Sequence, residues 1–290
     1  MDRDQITAET TGNFGLRADS YYGIGQWMYG IVNGTIEYPL EIPENPDDSA
    51  AMAEYEEKLD VWEELSFDGL IDYEADPERA NALLDADGWV RNAEGIREKV
   101  IDGETVTLDL KLIYPEGNDI GGILQKHMIP YLEAAGIRLT MEAVPMPELL
   151  SRFYEQALCD AEMIYMASNF DDIFDPSAHF RTDAEGRHSW SFTSGVDEEL
   201  YQLSLDMIRT EPGETLEYIQ KWLLFLEHFN RELPMIPVYT NVYFDFYTDW
   251  LQNYEITQNV TWGNAILGAR LEEPAEEELP ELDGHLSGIN

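Results

Sequence analysis

The chain has 290 residues, 44% of them hydrophobic, which is enough for one large domain or two modest ones with a substantial core. Its 59 acidic residues outnumber 17 basic residues and leave a formal net charge of −42. A surface of this charge repels phosphate groups, so we expect neither nucleic acid nor anionic membrane as a partner. The composition is typical of a very soluble extracellular protein or of a halophilic one, and we favour the first.

The sequence contains few residues for covalent or metal chemistry. Cys159 is the only cysteine, so no intramolecular disulfide and no thiolate metal cluster can form. Its position at the apolar end of a predicted helix indicates a buried, inert thiol. His179 and His188 are isolated, and HExxH, phosphate-loop and GxSxG motifs do not occur. We therefore predict no metal site and no cofactor.

The first part of the chain has weak periodicity. A short polar helix is predicted over Asp2–Glu9, and repeated glycines then interrupt every pattern, so residues 1–45 are predicted to be irregular. A Glu-rich helix is predicted over Ser49–Leu65, because apolar residues recur on one face. Its acidic side is interpreted as a solvated face.

A clearer helix signal begins at Asp76-Pro77, where a capping carboxylate precedes proline at the first helical position. Gly88 is predicted to end this helix. Its apolar stripe consists of Ala80, Leu83 and Leu84.

Strand and helix periods alternate from residue 105 to residue 167. In chain order they predict a strand over Val106–Leu112, a helix over Ile120–Leu132 that Gly136 ends, a strand over Ile137–Ala143, a helix from Pro147 to Leu158 and a strand over Glu162–Ala167. This alternation favours an α/β fold, with a mixed, mostly parallel sheet covered by helices on both faces. The loop after the third strand would then lie at the carboxyl edge of the sheet, where such folds bind ligands.

The loop after the third predicted strand is acidic. The apolar run Met163–Met166 is followed by a segment that carries Asp171, Asp172 and Asp175-Pro176. Asp175 is interpreted as the N-cap of the next helix in preference to a ligand group. Asp171 is either a ligand contact or simply a solvated acid.

The last third of the chain is predicted to begin with two helices, over Asp197–Arg209 and Glu214–Phe229, the second with a strong apolar stripe. Leu233–Tyr239 is predicted to be a short edge strand, because its two prolines exclude a central one. The Glu- and Pro-rich tail, residues 271–290, is predicted to be disordered.

Four segments resemble motifs of one family and occur in that family's order. Met1–Ile6 looks like the end of its ALAYAIDRDxI helix, and Asp76–Trp89 looks like its DPEKAKALLxxAGW motif. Gly136-Ile137 matches its GI-x-V junction, and Leu233–Tyr239 resembles LPxIPLY. With the Asp-Pro loop, these segments resemble the peptide-type extracellular solute-binding proteins of ABC importers (family 5, cluster C), which include dipeptide- and oligopeptide-binding proteins.

The resemblance implies a periplasmic-binding-protein-like fold in which two α/β lobes close on a ligand. Residues 1–240 would form the C-terminal lobe, with 1–45 as an irregular Gly-rich opening segment, and 241–270 would return toward the N-terminal lobe. Because family members are longer, we expect the chain to be a fragment or a truncated gene product. No apolar run follows Met1–Gln5, so we expect the export signal of an extracellular or periplasmic protein to lie outside this sequence. The implied partner is an ABC permease, and the implied protein is not an enzyme.

The resemblance also implies a ligand site. An aspartate of the family's W-x-x-D-x-x-(D/E)-P motif forms a salt bridge with the α-amino group of the peptide, and this role falls on Asp172. Asn169 stands where the family has tryptophan, with Phe170 beside it, so the aromatic wall of the pocket is altered. The full set of candidate ligand-binding residues is Asp172, Asn169, Phe170, Asp171, Trp190 and Arg181.

Three alternatives remain open at this point. The ligand could be an oligosaccharide, because aromatic clefts with scattered carboxylates also suit sugars. The chain could be a glycoside hydrolase that uses Asp171 or Asp172 together with Asp175. It could also be an interaction module without a ligand of its own.

Overall fold

The computed structural model describes residues 1–12, 14–155, 159–170, 173–181, 198–242, 245–256, 260 and 262–272. The chain divides into two units, residues 1–242 and residues 243–290, and each is described by itself. The elements of the first unit are, in chain order, α1 (Arg3–Thr11), β1 (Gly15–Arg17), α2 (Trp27–Val32), α3 (Ser49–Glu63), α4 (Pro77–Ala86), β2 (Val90–Arg91), β3 (Arg97–Ile101), β4 (Glu104–Thr107), β5 (Asp109–Pro115), α5 (Ile120–His127), α6 (Ile129–Ala135), β6 (Arg138–Val144), α7 (Met146–Tyr154), β7 (Met163–Ile164), α8 (Ser177–Phe180), α9 (Glu198–Ile208), α10 (Thr215–Glu232) and β8 (Tyr239–Asn241).

A parallel sheet of strand order β6-β5-β7 confirms the predicted fold class. β5 is central, because Leu112 pairs with Met141 of β6 on one side and with Met163 of β7 on the other. Successive residues of a strand face opposite sides, and Leu112 and Ile113 accordingly belong to different buried clusters. Residues of α1 and α5 complete the Leu112 cluster and α7 completes the Ile113 cluster, so helices cover both faces of the sheet.

The single strand predicted over Val106–Leu112 is wrong, because this segment belongs to two strands in two sheets. β4 pairs antiparallel with β3 in a sheet of order β2-β3-β4, whereas β5 lies in the parallel sheet. A two-residue turn joins β3 to β4 at Asp102-Gly103, with φ of +53° and +87°. Asp-Gly favours this type I′ hairpin geometry. The apolar alternation continues across the boundary at Leu108, so periodicity alone did not reveal it.

The helix predicted over Ile120–Leu132 is interrupted between α5 and α6 at Met128. Pro130 explains the break, since it has no N–H to donate to the preceding turn. Gly136 ends α6 in the left-handed region at φ +83°, as predicted.

Two other expectations about helices were only partly correct. Asp76 caps α4 by accepting a hydrogen bond from the Arg79 N–H, as predicted, but Leu83 of its apolar stripe is 63% exposed. Cys159 lies beyond the end of α7 and is half-buried, and its thiol donates to the Ala161 carbonyl oxygen at 3.3 Å. Cys159 is therefore not the buried helix residue that the sequence predicted.

The predicted edge strand over Leu233–Tyr239 begins only at its last residue. β8 starts at Tyr239, after both prolines, and pairs antiparallel with β1. Proline cannot donate to a strand ladder, so the pairing starts once an N–H is available at each position. β1 and α2 both lie in the segment that was predicted to be irregular.

The largest buried cluster surrounds α10. The predicted stripe of this helix is confirmed, because four of its members are buried with residues of α2, α3 and α9, and Leu216 and Leu223 pack against that cluster while partly buried. Its fully buried residues include Ile219, Trp222, Phe225, Leu226 and Phe229.

Arg97 at the start of β3 is buried, with 2% of its surface exposed. Its guanidinium donates to the Asp85 carboxylate (2.6 Å) and to the Asn81 side-chain oxygen (2.7 Å). It also donates to the backbone carbonyl oxygens of Trp89 (2.7 Å) and Ala135 (2.8 Å). These bonds join α4, β3 and the end of α6, and all of them satisfy one buried charge.

The second unit contains β9 (Leu251–Gln252), α11 (Trp262–Gly268) and β10 (Arg270–Leu271), with β9 and β10 paired antiparallel. The Tyr254 hydroxyl donates to the Asp245 carboxylate at 3.3 Å, and the rings of Tyr254 and Tyr247 meet edge to face. Most of the tail predicted to be disordered, residues 273–290, lies outside the described residues.

Candidate functional site

The order β6-β5-β7 creates a switch point at the carboxyl edge of the parallel sheet. The connection from β5 leads to β6 on one side, and the connection from β6 leads to β7 on the other side. In open α/β sheets the crevice outside the strand ends at such a point is the usual ligand site. The loop after β7, residues 165–170, leaves the sheet at this edge.

The first residue of this loop is anchored to the sheet and to β8. The Tyr165 N–H donates to the Ile113 carbonyl oxygen of β5 at 2.9 Å, and the Tyr165 hydroxyl donates to the Tyr239 hydroxyl at 3.3 Å. Burial raises the pKa of Tyr165, with the nearby Tyr239 hydroxyl adding to the effect. The Tyr165 phenol is therefore neutral at physiological pH, and its hydrogen bond to the Tyr239 hydroxyl holds the start of the loop.

The end of the loop is held by an aromatic cluster centred on Tyr21. Phe170 meets the Tyr21 ring edge to face, with centroids 5.0 Å apart, and Phe174 lies 5.9 Å from both rings. Gly23 allows Phe170 to approach, because a Cβ there would lie 2.9–3.1 Å from the Phe170 side chain. Phe170 and Phe174 thus fix both ends of the short segment that contains Asp171 and Asp172.

Tyr21 itself is positioned by buried polar contacts of the residues before it. Arg3, which is 7% exposed, donates to the Ala18 carbonyl oxygen at 2.5 Å and to the Asp19 carboxylate at 3.0 Å. The Asn230 side-chain amide of α10 donates to the Asp19 carbonyl oxygen at 2.7 Å. Burial raises the pKa of the Tyr21 phenol, with a hydrogen bond to Ser168 acting in the opposite direction.

Asp175 was predicted to be the N-cap of α8, but Pro176 occupies that position and Asp175 lies one residue before it, so the prediction is wrong by one residue. The Asp175 carboxylate accepts hydrogen bonds from the Ser177 N–H at 2.9 Å and from the Ser177 hydroxyl at 2.6 Å. Tyr218 of α10 donates to the Phe174 carbonyl oxygen at 3.3 Å, which ties the same turn to the main core. Burial raises the pKa of Tyr218 to about 12, with the Asp175 charge as a second cause.

His179 of α8 lies against the same cluster, with its ring 5.9 Å from that of Tyr21. Burial lowers the pKa of His179, and the charge of Asp175 acts in the opposite direction. The imidazole is therefore poorly suited to carry a charge in the folded protein.

The structure describes three of the six candidate ligand-binding residues. Asn169 is exposed at the loop, Phe170 is half-buried in the Tyr21 cluster, and Arg181 is exposed directly after α8. Tyr21 brings the loop and α8 together, since its ring also lies 6.5 Å from that of Phe180. The other three candidates, Asp171, Asp172 and Trp190, lie outside the described residues.

Sequence analysis missed Tyr21 as the residue that organises this region. It lies in the segment with weak periodicity, so neither helix nor strand spacing singled it out. The available signal was the Tyr21-Tyr22 pair between glycines, which is a large aromatic area in an otherwise small-residue segment.

The shifted acids of the described residues form surface ion pairs. The pKa values of Glu9, Glu54, Asp87, Asp109 and Asp160 are all lowered, in each case chiefly by a hydrogen bond from a lysine or arginine side chain. A catalytic acid needs the opposite shift. Within the described residues, no three His, Cys, Asp or Glu side chains are grouped to hold a metal ion. Over the same residues, no helix combines the length and apolar character that a membrane span requires.

Several solved structures of oligopeptide-binding proteins share this architecture. An oligopeptide-binding protein of Thermus thermophilus, complexed with a pentapeptide, has a TM-score of 0.60 and 17% identity, covering 87% of this chain and 38% of its own. An oligopeptide-binding protein of Bacillus subtilis, complexed with a nonapeptide, has a TM-score of 0.61 and 14% identity. The match covers 94% of this chain and 46% of the Bacillus subtilis protein. The chain has their fold.

A third structure with this fold holds a different ligand. It is a periplasmic oligopeptide-binding protein of an ABC transporter from Thermotoga maritima with bound mannohexaose, with a TM-score of 0.53 and 18% identity, covering 83% of this chain and 39% of its own. The chain thus spans less than half the length of the structures it matches. No protein-family profile and no curated protein matches the sequence.

Proposed function

We propose that the chain is part of the substrate-binding component of an ABC importer, and that it captures extracellular peptides. One observation carries the proposal. The loop after β7 leaves the switch point of a solute-binding fold, and Phe170 and Phe174 fix the ends of the segment that contains Asp171 and Asp172. We propose that a ligand at this edge contacts that segment.

In this proposal Asp172 pairs with the α-amino group of the peptide. A half-buried ammonium group needs a carboxylate partner, because an unpaired buried charge costs several kcal/mol. Asn169, exposed beside the site, would donate and accept hydrogen bonds along the peptide backbone, and Arg181 and Trp190 would contact the rest of the ligand. In this arrangement each named group binds the ligand and none takes part in breaking a bond, so the protein would not be an enzyme.

The domain assignment belongs to the same proposal. Residues 1–240 would form one lobe, residues 241–270 would return toward a second lobe, and residues 271–290 would be a tail. Closure of two lobes would present a surface to the permease, outside the cell or in the periplasm. The chain alone would bind weakly, because one lobe supplies only part of the contacts.

A chemical-shift titration suits this weak binding. We expect tri- to hexapeptides with a free α-amino group to shift resonances of Asn169 and Phe170, and N-acetylated versions of the same peptides to bind at least 10-fold more weakly. Asp172→Asn should cause a similar loss, about 1.4 kcal/mol or more. Asp206→Asn is the matched control, since it removes the same charge from an exposed acid of α9 that is outside the candidate set.

Two results would contradict the proposal. Equal binding of free and N-acetylated peptides would remove the role of Asp172. Turnover of a glycoside that Asp172→Asn abolishes would favour the hydrolase alternative.

An oligosaccharide is the second candidate ligand. The Thermotoga maritima protein of this fold was solved with mannohexaose, and the exposed amide of Asn169 suits sugar hydroxyls. The same titration with linear hexasaccharides separates the two ligand classes, because a sugar has no α-amino group and its binding should be unaffected by Asp172→Asn.

A further inference from the structure

A surface groove with an apolar floor lies beside α3. Its volume is about 440 Å³, and its floor is formed by Leu40, Val61, Trp62 and Leu216. Glu54 and Glu57 of α3 stand at its rim. The groove has none of its lining residues in common with the proposed ligand site, so it would act as a separate site.

The floor of the groove is preformed. Trp62 is 4% exposed and lies against the Tyr38 ring, with centroids 5.5 Å apart, inside the largest buried cluster of the fold. Leu40 and Leu216 pack against the same cluster but stay partly exposed. Binding there would therefore need little ordering of side chains, which is a main cost of association.

The rim determines which occupant is favoured. Lys58 donates to Glu54 at 2.7 Å, so its charge is compensated within α3. Glu57 is exposed and has no ion-pair partner within 4 Å among the described residues. α3 also carries Glu56, Asp60 and Glu63, and the whole chain has a net charge of −42. An anionic lipid or a second copy of this chain would be repelled by this face.

We propose that this groove docks a cationic segment of a protein partner. An apolar side chain of that segment fills the space over Trp62, and a flanking lysine or arginine side chain pairs with Glu57. The apolar contact supplies most of the affinity, and the charges select the partner and accelerate association.

Fluorescence anisotropy with labelled synthetic 12-residue peptides tests the proposal on the whole chain. The first peptide has leucine and phenylalanine between flanking lysines and arginines. The second has serine at both apolar positions, and the third has glutamate in place of every basic residue. We expect the first peptide to bind at least 10-fold more tightly than the second, and the third not to bind. Equal binding of the first two peptides would show charge attraction alone and would overturn the proposal.

Paired charge reversals on α3 localise the contact. Glu54→Lys with Glu57→Lys should weaken binding of the first peptide at least 10-fold. Glu56→Lys with Glu63→Lys is the control, because it changes the net charge equally on the same helix without altering the groove lining. An equal loss in both double variants would contradict docking at the groove.

Leu40→Ser tests the apolar floor of the groove. Leu40 lies outside the helices, so this change does not alter helix propensity. We expect it to weaken binding of the first peptide by about 5-fold or more and to leave the serine peptide unchanged. Thermal unfolding of each variant, followed by circular dichroism, establishes that it is folded before binding is compared. Unchanged affinity in a folded Leu40→Ser variant, together with unchanged affinity in the Glu54 and Glu57 variant, would overturn the proposal.

Discussion

Tyr21 and Phe170 meet edge to face with their ring centroids 5.0 Å apart, and so join the segment after β1 to the loop after β7. The two residues are far apart in the chain and belong to different parts of the fold. Their contact links the edge of the parallel sheet to the main core, because Tyr21 also stacks on Phe229 of α10 at 5.3 Å. The position of the candidate ligand loop therefore depends on this pair.

Phe170→Ala should destabilise the first unit, because it removes the edge-to-face contact and leaves a gap over Gly23. We expect a loss of about 2–3 kcal/mol, below the 3–5 kcal/mol typical of a fully buried phenylalanine, since Phe170 is half-buried. Urea unfolding measures the difference. Ile42→Ala is the control, since Ile42 lies in the same unit and is 71% exposed, and it should cost less than about 0.5 kcal/mol. Similar losses in the two variants would contradict this role of Phe170.

Arg97 and Arg138 should respond very differently to replacement by methionine, although each makes several charged hydrogen bonds. Arg97→Met removes a buried donor, which leaves the Ala135 carbonyl oxygen of α6 and partly buried acceptors of α4 without a partner, and should cost about 1–3 kcal/mol. Arg138 is 50% exposed, and its pairs with Asp109 and Glu94 lie in solvent, so Arg138→Met should cost less than about 1 kcal/mol. Denaturant unfolding compares the two. A larger loss of stability for Arg138→Met than for Arg97→Met would mean that burial does not decide how much each arginine contributes to the free energy of unfolding.

Sodium chloride should stabilise the protein. The net charge of −42 opposes folding through self-repulsion, and the Debye length falls from roughly 30 Å at 0.01 M salt to roughly 3 Å at 1 M. Ion pairs such as Lys111–Asp160 are also screened, but exposed pairs contribute about 0–1 kcal/mol each. We therefore expect Tm to rise between 0.01 M and 1 M NaCl. A falling Tm would show that the ion pairs outweigh the repulsion.

His179 should make stability decrease as the pH falls below about 6.5. Burial lowers the pKa of His179 in the folded state, so the unfolded chain binds more protons in this range. Stability from the neutral imidazole is present above pH 6.5 and declines as the pH falls toward the folded pKa. Urea unfolding between pH 7.5 and about 5 should show a shallower decline for His179→Asn than for the unchanged protein. Equal slopes would contradict this assignment, whatever the absolute stability of the variant.

Local signals in the sequence were sufficient where one periodicity continues without interruption. The apolar stripe of α10, the strand period of β6 and the carboxylate cap at Asp76 all identified their elements correctly. Where two short elements meet, the same signals failed. Alternation ran across Leu108 from β4 into β5, and only the Asp102-Gly103 turn marked the hairpin. Helical spacing likewise ran through Pro130, although proline cannot continue the hydrogen-bond ladder.

The sequence by itself determined the α/β class, the strongly acidic surface and the acidic loop after the third parallel strand, because composition and periodicity are local properties of the chain. Only the tertiary structure decided that β5 is central, that Arg97 is buried among acceptor oxygens from neighbouring segments, and that Tyr21 holds the loop. These features depend on contacts between segments far apart in sequence. Such contacts result from burying apolar faces together and from satisfying each buried polar group, and no local pattern encodes either one.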